Sequence, residues 1–319
     1  MTNEIRKELN NATRLYKAKK RQEAYEIFDR LFRQNPEEFR KWDRIRYCWS
    51  IYHMHIRDSF DEEELSEYGE MVTDIVEQED LNEATLCVYT QCVFKIIRFY
   101  KSDNDWYSVL YWLDKLDPNL LDDKKGRKGD MIYPSRKEEY YNLKSKALLK
   151  CDEYKQCIQA SVTALQTISE FALDDWVWHK FRIAKSLRQL DEPEAALLFL
   201  EDVLNVQDQW FVYRELAENY YALEDYDNAL KSVSLGILSE NILRGKENLY
   251  HLAYNILKDS DQEFALKHAE MFVALKLETE SDIPIEMDDL GIDEDNLNIK
   301  DLEQEIKNKW IDYDLIGAC

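Results

Sequence analysis

The stretch YRELAENYYALEDYDNALKSVSLGILSEN, residues 213–241, decides the fold. Tyr213, Leu216, Ala217 and Tyr220 recur at helical spacing, and after a polar turn Ala229, Val233 and Gly236 do so again. Large residues on a first helix that meet small ones on both helices let two axes approach closely, so the stretch predicts a helical hairpin. The same frame recurs on either side. Upstream stand Ile183, Ala184, Leu187, Ala196 and Leu200, with Pro193 opening the second helix where a missing N–H costs little. Downstream stand Leu249, Leu252, Ala253, Ile256, Ala265 and Ala269. Tyr141, Ser145, Leu148, Cys157 and Ala164 form a further copy, with Cys157 in the place of the usual Ala. Ala12, Leu15, Ala24, Phe28 and Leu31 form another near the N-terminus. The small marker residues 157, 196, 229 and 265 lie 39, 33 and 36 apart. Residues 39–79, with Phe39, Trp42, Tyr47, Trp49 and Tyr52, and residues 82–118 read as two degenerate pairs, giving about seven hairpins.

The frame resembles the tetratricopeptide repeat, whose period is near ~34 residues, and the resemblance covers most of residues 5–277. The turn Leu223-Glu224-Asp225-Tyr226-Asp227 reverses the chain as in that family, and Asn35-Pro36 looks like its terminating proline. The resemblance implies an all-α fold, a right-handed superhelix of about seven hairpins followed by a C-terminal helix, with no β-sheet. It implies a binding surface and leaves the ligand open. A weaker resemblance, around YPSRKEEYYNLKSKALLKCDEYKQCI (133–158), is to uncharacterised bacterial helical-repeat proteins found near defence and conflict systems. In some of those a cold-shock-like nucleic-acid-binding domain follows the repeats; up to Cys319 no such β domain is read here.

Composition agrees with helices. Of 319 residues, 45% are hydrophobic and 34% charged, enough apolar material for a continuous core. Only 7 Gly and 5 Pro occur, against usual shares of roughly 7% and 5%. Primed hairpin turns and phosphate-cradling loops both consume glycine, which disfavours sheet-rich and nucleotide-binding folds. No apolar run approaches the ~18 residues that span a bilayer, and the N-terminus lacks the apolar core of a secretory signal, so no membrane partner is expected. Cys48, Cys87, Cys92, Cys151, Cys157 and Cys319 are scattered through helical segments and read as reduced, mostly buried thiols of a cytoplasmic protein.

The net charge of −23 is unevenly placed. Residues 1–57 carry 14 basic and 8 acidic side chains, 14 − 8 = +6, whereas residues 278–305 carry 12 acids and Lys300 alone, giving −11. The expected organisation is a repeat array over 1–277, an acidic linker or arm over 278–297, and a terminal amphipathic helix and tail over 298–319. In that last segment Ile299, Leu302, Ile306 and Trp310 recur at helical spacing, a stripe expected to dock on the last repeat. Residues 119–136, which hold two of the seven glycines and a Pro, read as the longest internal loop.

No residue pattern specifies catalysis. Neither Cys48 with His53 and His55 nor Cys87 with Cys92 has zinc-finger spacing, and the two histidines point to different sides of a helix. P-loop, dinucleotide and kinase motifs are absent from the sequence. No cofactor, metal or catalytic residue is expected. Asp174-Asp175 and Asp288-Asp289 read as helix caps and solvated charge.

In the resembled family the first helix of each pair lines the concave face at fixed offsets before the marker small residue. Those offsets select Lys146 and Lys150, then Trp178, Phe181, Lys185 and Arg188, then Arg214 and Tyr221, then Tyr250, Tyr254 and Lys258. Six cations and five aromatics in so acidic a chain imply a groove for an acidic peptide or partner helix, with Glu139, Glu218 and Glu247 near its rim. Glu218 stands where the family's carboxylate clamp needs Asn, so a standard C-terminal peptide clamp is not expected. The expected function is a non-enzymatic interaction scaffold, and the acidic arm Glu278–Asp295 is a candidate competitor for the same groove. The alternative is a nucleic-acid-associated regulatory or defence component. It would use the basic residues within 14–46, namely Arg14, Lys17, Lys19, Lys20, Arg40, Lys41, Arg44 and Arg46, with Trp42 and Tyr47 beside them.

Overall fold

The computed structural model describes residues 3–84, 86–239 and 243–312, and within them the chain forms sixteen α-helices, the first fourteen in consecutive pairs. The pairs are α1 (Asn3–Lys17) with α2 (Arg21–Gln34), α3 (Lys41–Ile51) with α4 (Glu62–Ile75), and α5 (Val88–Ser102) with α6 (Trp106–Asp114). Then follow α7 (Arg136–Lys150) and α8 (Tyr154–Thr167), α9 (Trp176–Gln189) and α10 (Pro193–Leu204), α11 (Trp210–Ala222) and α12 (Tyr226–Leu238), and α13 (Glu247–Leu257) and α14 (Gln262–Glu278). A single turn α15 (Ile285–Asp288) and α16 (Ile299–Asp312) are the last of the described helices. One π-helical turn, Tyr52–Ile56, continues α3.

The hairpin turns explain how so few glycines suffice. At the same place in five of them a non-glycine residue takes the left-handed conformation: Lys19, Asn104, Asp152, Asp191 and Glu224. In each, the next N–H reaches back five residues to a helix carbonyl, as in Lys20 to Leu15 at 3.0 Å and Asp225 to Tyr220 at 3.0 Å. This Schellman closure satisfies carbonyls that the helix end leaves orphaned, which offsets the ~1–2 kcal/mol of left-handed backbone strain. The following helix is often capped by a carboxylate. Asp105, Asp225 and Asp261 accept the N–H of Ser108, Asn228 and Phe264.

The chain divides into two compact units. The first comprises the residues up to Gln156 with Thr163–Leu173; the second takes Cys157–Val162 and the chain from Asp174 onward. In the first, Leu9, Ala12, Phe28, Tyr47, Phe94 and Trp112 form a continuous core. Gly69 of α4 exists for close approach: an added Cβ would lie 2.6 Å from the Trp112 ring. In the second unit Ala217, Val233, Leu249, Ala265 and Phe272 pack together, and the markers Ala196 and Ala229 are fully buried. There the first helices of successive pairs, α9, α11 and α13, are neighbours.

Two features differ from expectation. The segment 119–136 is not all loop, and the chain is not free of β-structure. Strands β1 (Gly126–Lys128) and β2 (Met131–Tyr133) pair antiparallel, Gly126 opposite Tyr133 and Lys128 opposite Met131. Gly129 turns the chain at φ 61°, and Met131-Ile132-Tyr133 is a β-favouring run. The second feature is the acidic segment after α14, which packs on the second core through its apolar residues. Met287 is buried there, and Ile283, Leu290, Ile292 and Leu297 lie against the same cluster. Helix α16 then docks on α14: Leu302, Ile306 and Trp310 are buried, with the Trp310 ring 4.9 Å from Phe264. The tail 313–319, Cys319 included, lies outside the described residues.

Candidate functional site

On α9, Trp178, Phe181, Lys185 and Arg188 recur at intervals of three and four and form one stripe. On α11, Phe211, Arg214, Glu215 and Glu218 do the same. Because α9 and α11 are neighbours, the two stripes meet and bring five charges together. Glu215 is completely buried, and its carboxylate lies 3.1 Å from the Lys185 ammonium, 3.3 Å from Arg188 and 3.4 Å from Arg214. Glu218, about a quarter exposed, takes Arg188 at 2.6 Å and Arg214 at 3.6 Å. The sum is 3 − 2 = +1 in a chain of −23.

The two carboxyls respond oppositely. Burial alone would push Glu215 up, but Lys185, Arg188 and Arg214 together outweigh it and hold the group below the ordinary carboxylate range. Glu218 is raised, by burial first and by the neighbouring Glu215 charge second. Glu215 is therefore the fixed anion around which the cations are ordered, and Glu218 the weaker second partner.

Rings continue the site. Trp178 stacks on Phe211 at 5.7 Å, Phe181 meets Phe211 edge-on at 5.5 Å, and Trp210 meets it edge-on at 6.0 Å. Lys185 stands 5.8 Å from the Phe181 ring and Arg214 5.6 Å from Trp210. Three members of this cluster, Trp210, Phe211 and Glu215, were not selected from sequence. The signal was present at one point: Phe211 precedes Glu215 by one helical turn and shares its face.

The other selected residues are distributed differently. Lys146 and Lys150 lie on α7 in the first unit, where Lys146 stands 5.2 Å over Trp106 and Lys150 is exposed. Tyr221 is exposed, 5.6 Å from Tyr226. Tyr254 and Lys258 border a shallow pocket with Leu266 and with Leu290 of the acidic segment. Tyr250 is a correction. It is fully buried and packs on His268 at 5.8 Å, because it shares a stripe with the core residues Ala253 and Leu257. It therefore lines no groove.

The basic N-terminal set also needs one correction. Arg14, Lys17, Lys19 and Lys20 are exposed, as is Trp42 at 62%. Tyr47, however, is wholly buried and donates its hydroxyl to Asp29 at 2.7 Å, so it presents no face for stacking. Arg44 donates to the Phe39 carbonyl at 3.2 Å and Lys41 pairs with Glu79 at 3.0 Å. His55 lies flat on Tyr68 at 3.9 Å with its Nδ1 2.9 Å from the Glu64 carboxylate, and burial lowers His53 to about 4, which keeps the His53 ring neutral at pH 7. Among the described residues no cluster of three potential metal ligands occurs, and no helix is long and apolar enough to cross a membrane.

No family model and no curated protein matches the chain. Solved structures similar to it include the following three. The crystal structure of BtubC (BKLC) from P. vanneervenii matches at 14% identity with a TM-score of 0.45, over 76% of this chain and 94% of that one. The TPR domain of P58(IPK) matches at 16% identity with a TM-score of 0.33, over 82% and 67%. The apo form of RapI matches at 14% identity with a TM-score of 0.31, over 99% and 100%.

Proposed function

We propose that this chain is a non-enzymatic protein-interaction scaffold whose α9–α11 face captures an acidic peptide or partner helix. The observation that carries the reading is the Glu215-centred cluster, in which a buried carboxylate holds three cations ready beside an aromatic wall. Lys185, Arg188 and Arg214 keep part of their side chains in solvent while their inner donors are anchored. A partner carboxylate then meets cations already ordered, which spares the rotamer entropy that a flexible surface lysine loses on binding. Trp178, Phe181 and Phe211 offer the apolar area that charge alone does not provide. The acidic remainder of the surface repels a wrongly placed acidic ligand and so adds specificity.

Selection from a random peptide display library tests this. The wild type should enrich Asp/Glu-rich sequences with apolar spacing, and a Trp178→Ala/Arg188→Gln variant should lose them. Enrichment of basic or uncharged sequences, or enrichment that the variant leaves intact, overturns the proposal.

A further inference from the structure

The β1–β2 hairpin of the first unit carries a surface that the α9–α11 site does not use. Each strand has three residues, and a two-stranded ribbon is marginally stable by itself. Among the described residues, no backbone hydrogen bond joins either strand to another element, so both edges are unpaired. The base of the hairpin is nevertheless fixed. The Asp122 carboxylate accepts the Arg136 N–H at 3.0 Å, and the Asp122 carbonyl accepts the Lys137 N–H at 3.2 Å. The outcome is an open strand edge held in place by α7. Met131 and Tyr133 project from one face, 65% and 44% exposed, with the Tyr133 hydroxyl donating to the Met131 sulfur at 3.4 Å.

Charge decides what such an edge can accept. Lys124, Lys125, Arg127 and Lys128 put four cations into five residues of sequence; Lys125 is turned to Glu170 at 3.0 Å, while Lys124 and Arg127 are exposed. A pocket beside the hairpin is bordered by Lys124, Arg127 and Tyr133, and by Arg98 of α5 and Arg136 of α7. Arg98 and Arg136 share the one carboxylate of Glu139, at 2.9 and 2.6 Å. Counting Asp122 as the second acid, the pocket sums to 4 − 2 = +2 in a chain of −23. Exposed cations such as Lys124 and Arg127 repel a second copy of the same hairpin, which is how natural edges avoid self-pairing. They admit a strand that brings carboxylates.

We propose that the hairpin receives an extended, acidic segment of a partner protein as a third strand, with its carboxylates entering the pocket near Arg98, Lys124 and Arg127. The backbone edge favours peptide over nucleic acid, since a phosphodiester chain has no N–H and C=O ladder to complete. The added strand converts a marginal ribbon into a three-stranded sheet and lays its side chains against Met131 and Tyr133.

The test uses the full chain and a fluorescein-labelled peptide of alternating Glu and Val, with alternating Lys and Val as the control. The Glu-Val peptide should raise anisotropy and slow hydrogen exchange across residues 126–133. Lys124→Glu/Arg127→Glu should weaken it by about tenfold or more without a change in melting temperature, because both side chains are exposed. The same variant should gain affinity for the Lys-Val peptide. The idea fails if the Glu-Val peptide does not bind, binds without slowing exchange at 126–133, or binds the variant undiminished. Binding of single-stranded oligo(dT), lost in the variant, with no peptide binding would also overturn it and assign the patch to phosphate recognition.

Discussion

Replacing Glu215 by Gln removes one charge from an enclosed ionic site of the second unit while keeping the side-chain shape. The local sum rises from 3 − 2 = +1 to 3 − 1 = +2, and the remaining carboxylate, Glu218, reaches Arg188 and Arg214. Removing one partner of a buried ion pair costs about 3–5 kcal/mol. The low end applies here, because the Lys185, Arg188 and Arg214 side chains are still about a fifth to a quarter exposed and water screens their repulsion. At about 3 kcal/mol the urea midpoint should fall by about 1 M, followed by circular dichroism at neutral pH. Glu218→Gln is the comparator and should cost less than about 1 kcal/mol, since Glu218 is partly solvated. The sign with pH follows from the depressed Glu215 carboxyl. Its contribution is present above the unfolded carboxylate pKa of about 4.3 and is lost as pH falls through the folded value. The gap between wild type and Glu215→Gln should therefore narrow in acid. A loss under about 0.5 kcal/mol at neutral pH, or one matched by Glu218→Gln, would refute the role assigned to the buried carboxylate.

Gly69→Ala should lower the melting temperature although Ala is the better helix former by about 1 kcal/mol, because its Cβ would press on Ile96 and the buried Trp112 ring; a raised melting temperature would show that the α4–α6 contact yields. Trp310→Ala empties the site against Phe264 and His268 and should cost about 3–5 kcal/mol in chemical denaturation, whereas an unchanged midpoint would mean that α16 does not hold the end of the second core. His268 is completely buried, and burial with the nearby Lys309 charge lowers it to about 3. Below the ordinary histidine value of about 6.5 the unfolded chain takes up a proton that the native one refuses, so by pH 5 about 2 kcal/mol is lost. His268→Leu should remove that share of the acid sensitivity, and identical pH profiles for the two proteins would contradict it.

The repeat was legible because helical packing places a hard constraint on a few positions. Ala196, Ala229, Ala265 and Cys157 had to be small where two axes cross, and all four are buried. The α16 stripe was legible for the same periodic reason, since Leu302, Ile306 and Trp310 return to one face at about 3.6 residues per turn. Periodicity reports a direction around an axis and not what stands opposite. Tyr250 and Tyr254 are one turn apart, yet Tyr250 turns into the core beside His268 and Tyr254 stays at the rim. Glu215 reads as an ordinary helical acid, and only the approach of α9 supplies Lys185 and Arg188, 30 and 27 residues earlier in the chain, as its partners. The β1–β2 ribbon was missed because three-residue strands carry little local signal; it depends on Asp122 tying its base to α7. What the sequence determined by itself was the repeated short-range geometry, which is encoded locally in residue size and spacing. What the tertiary structure decided was which charges and rings meet, because Coulomb and packing energies depend on distances between helices that no single segment specifies.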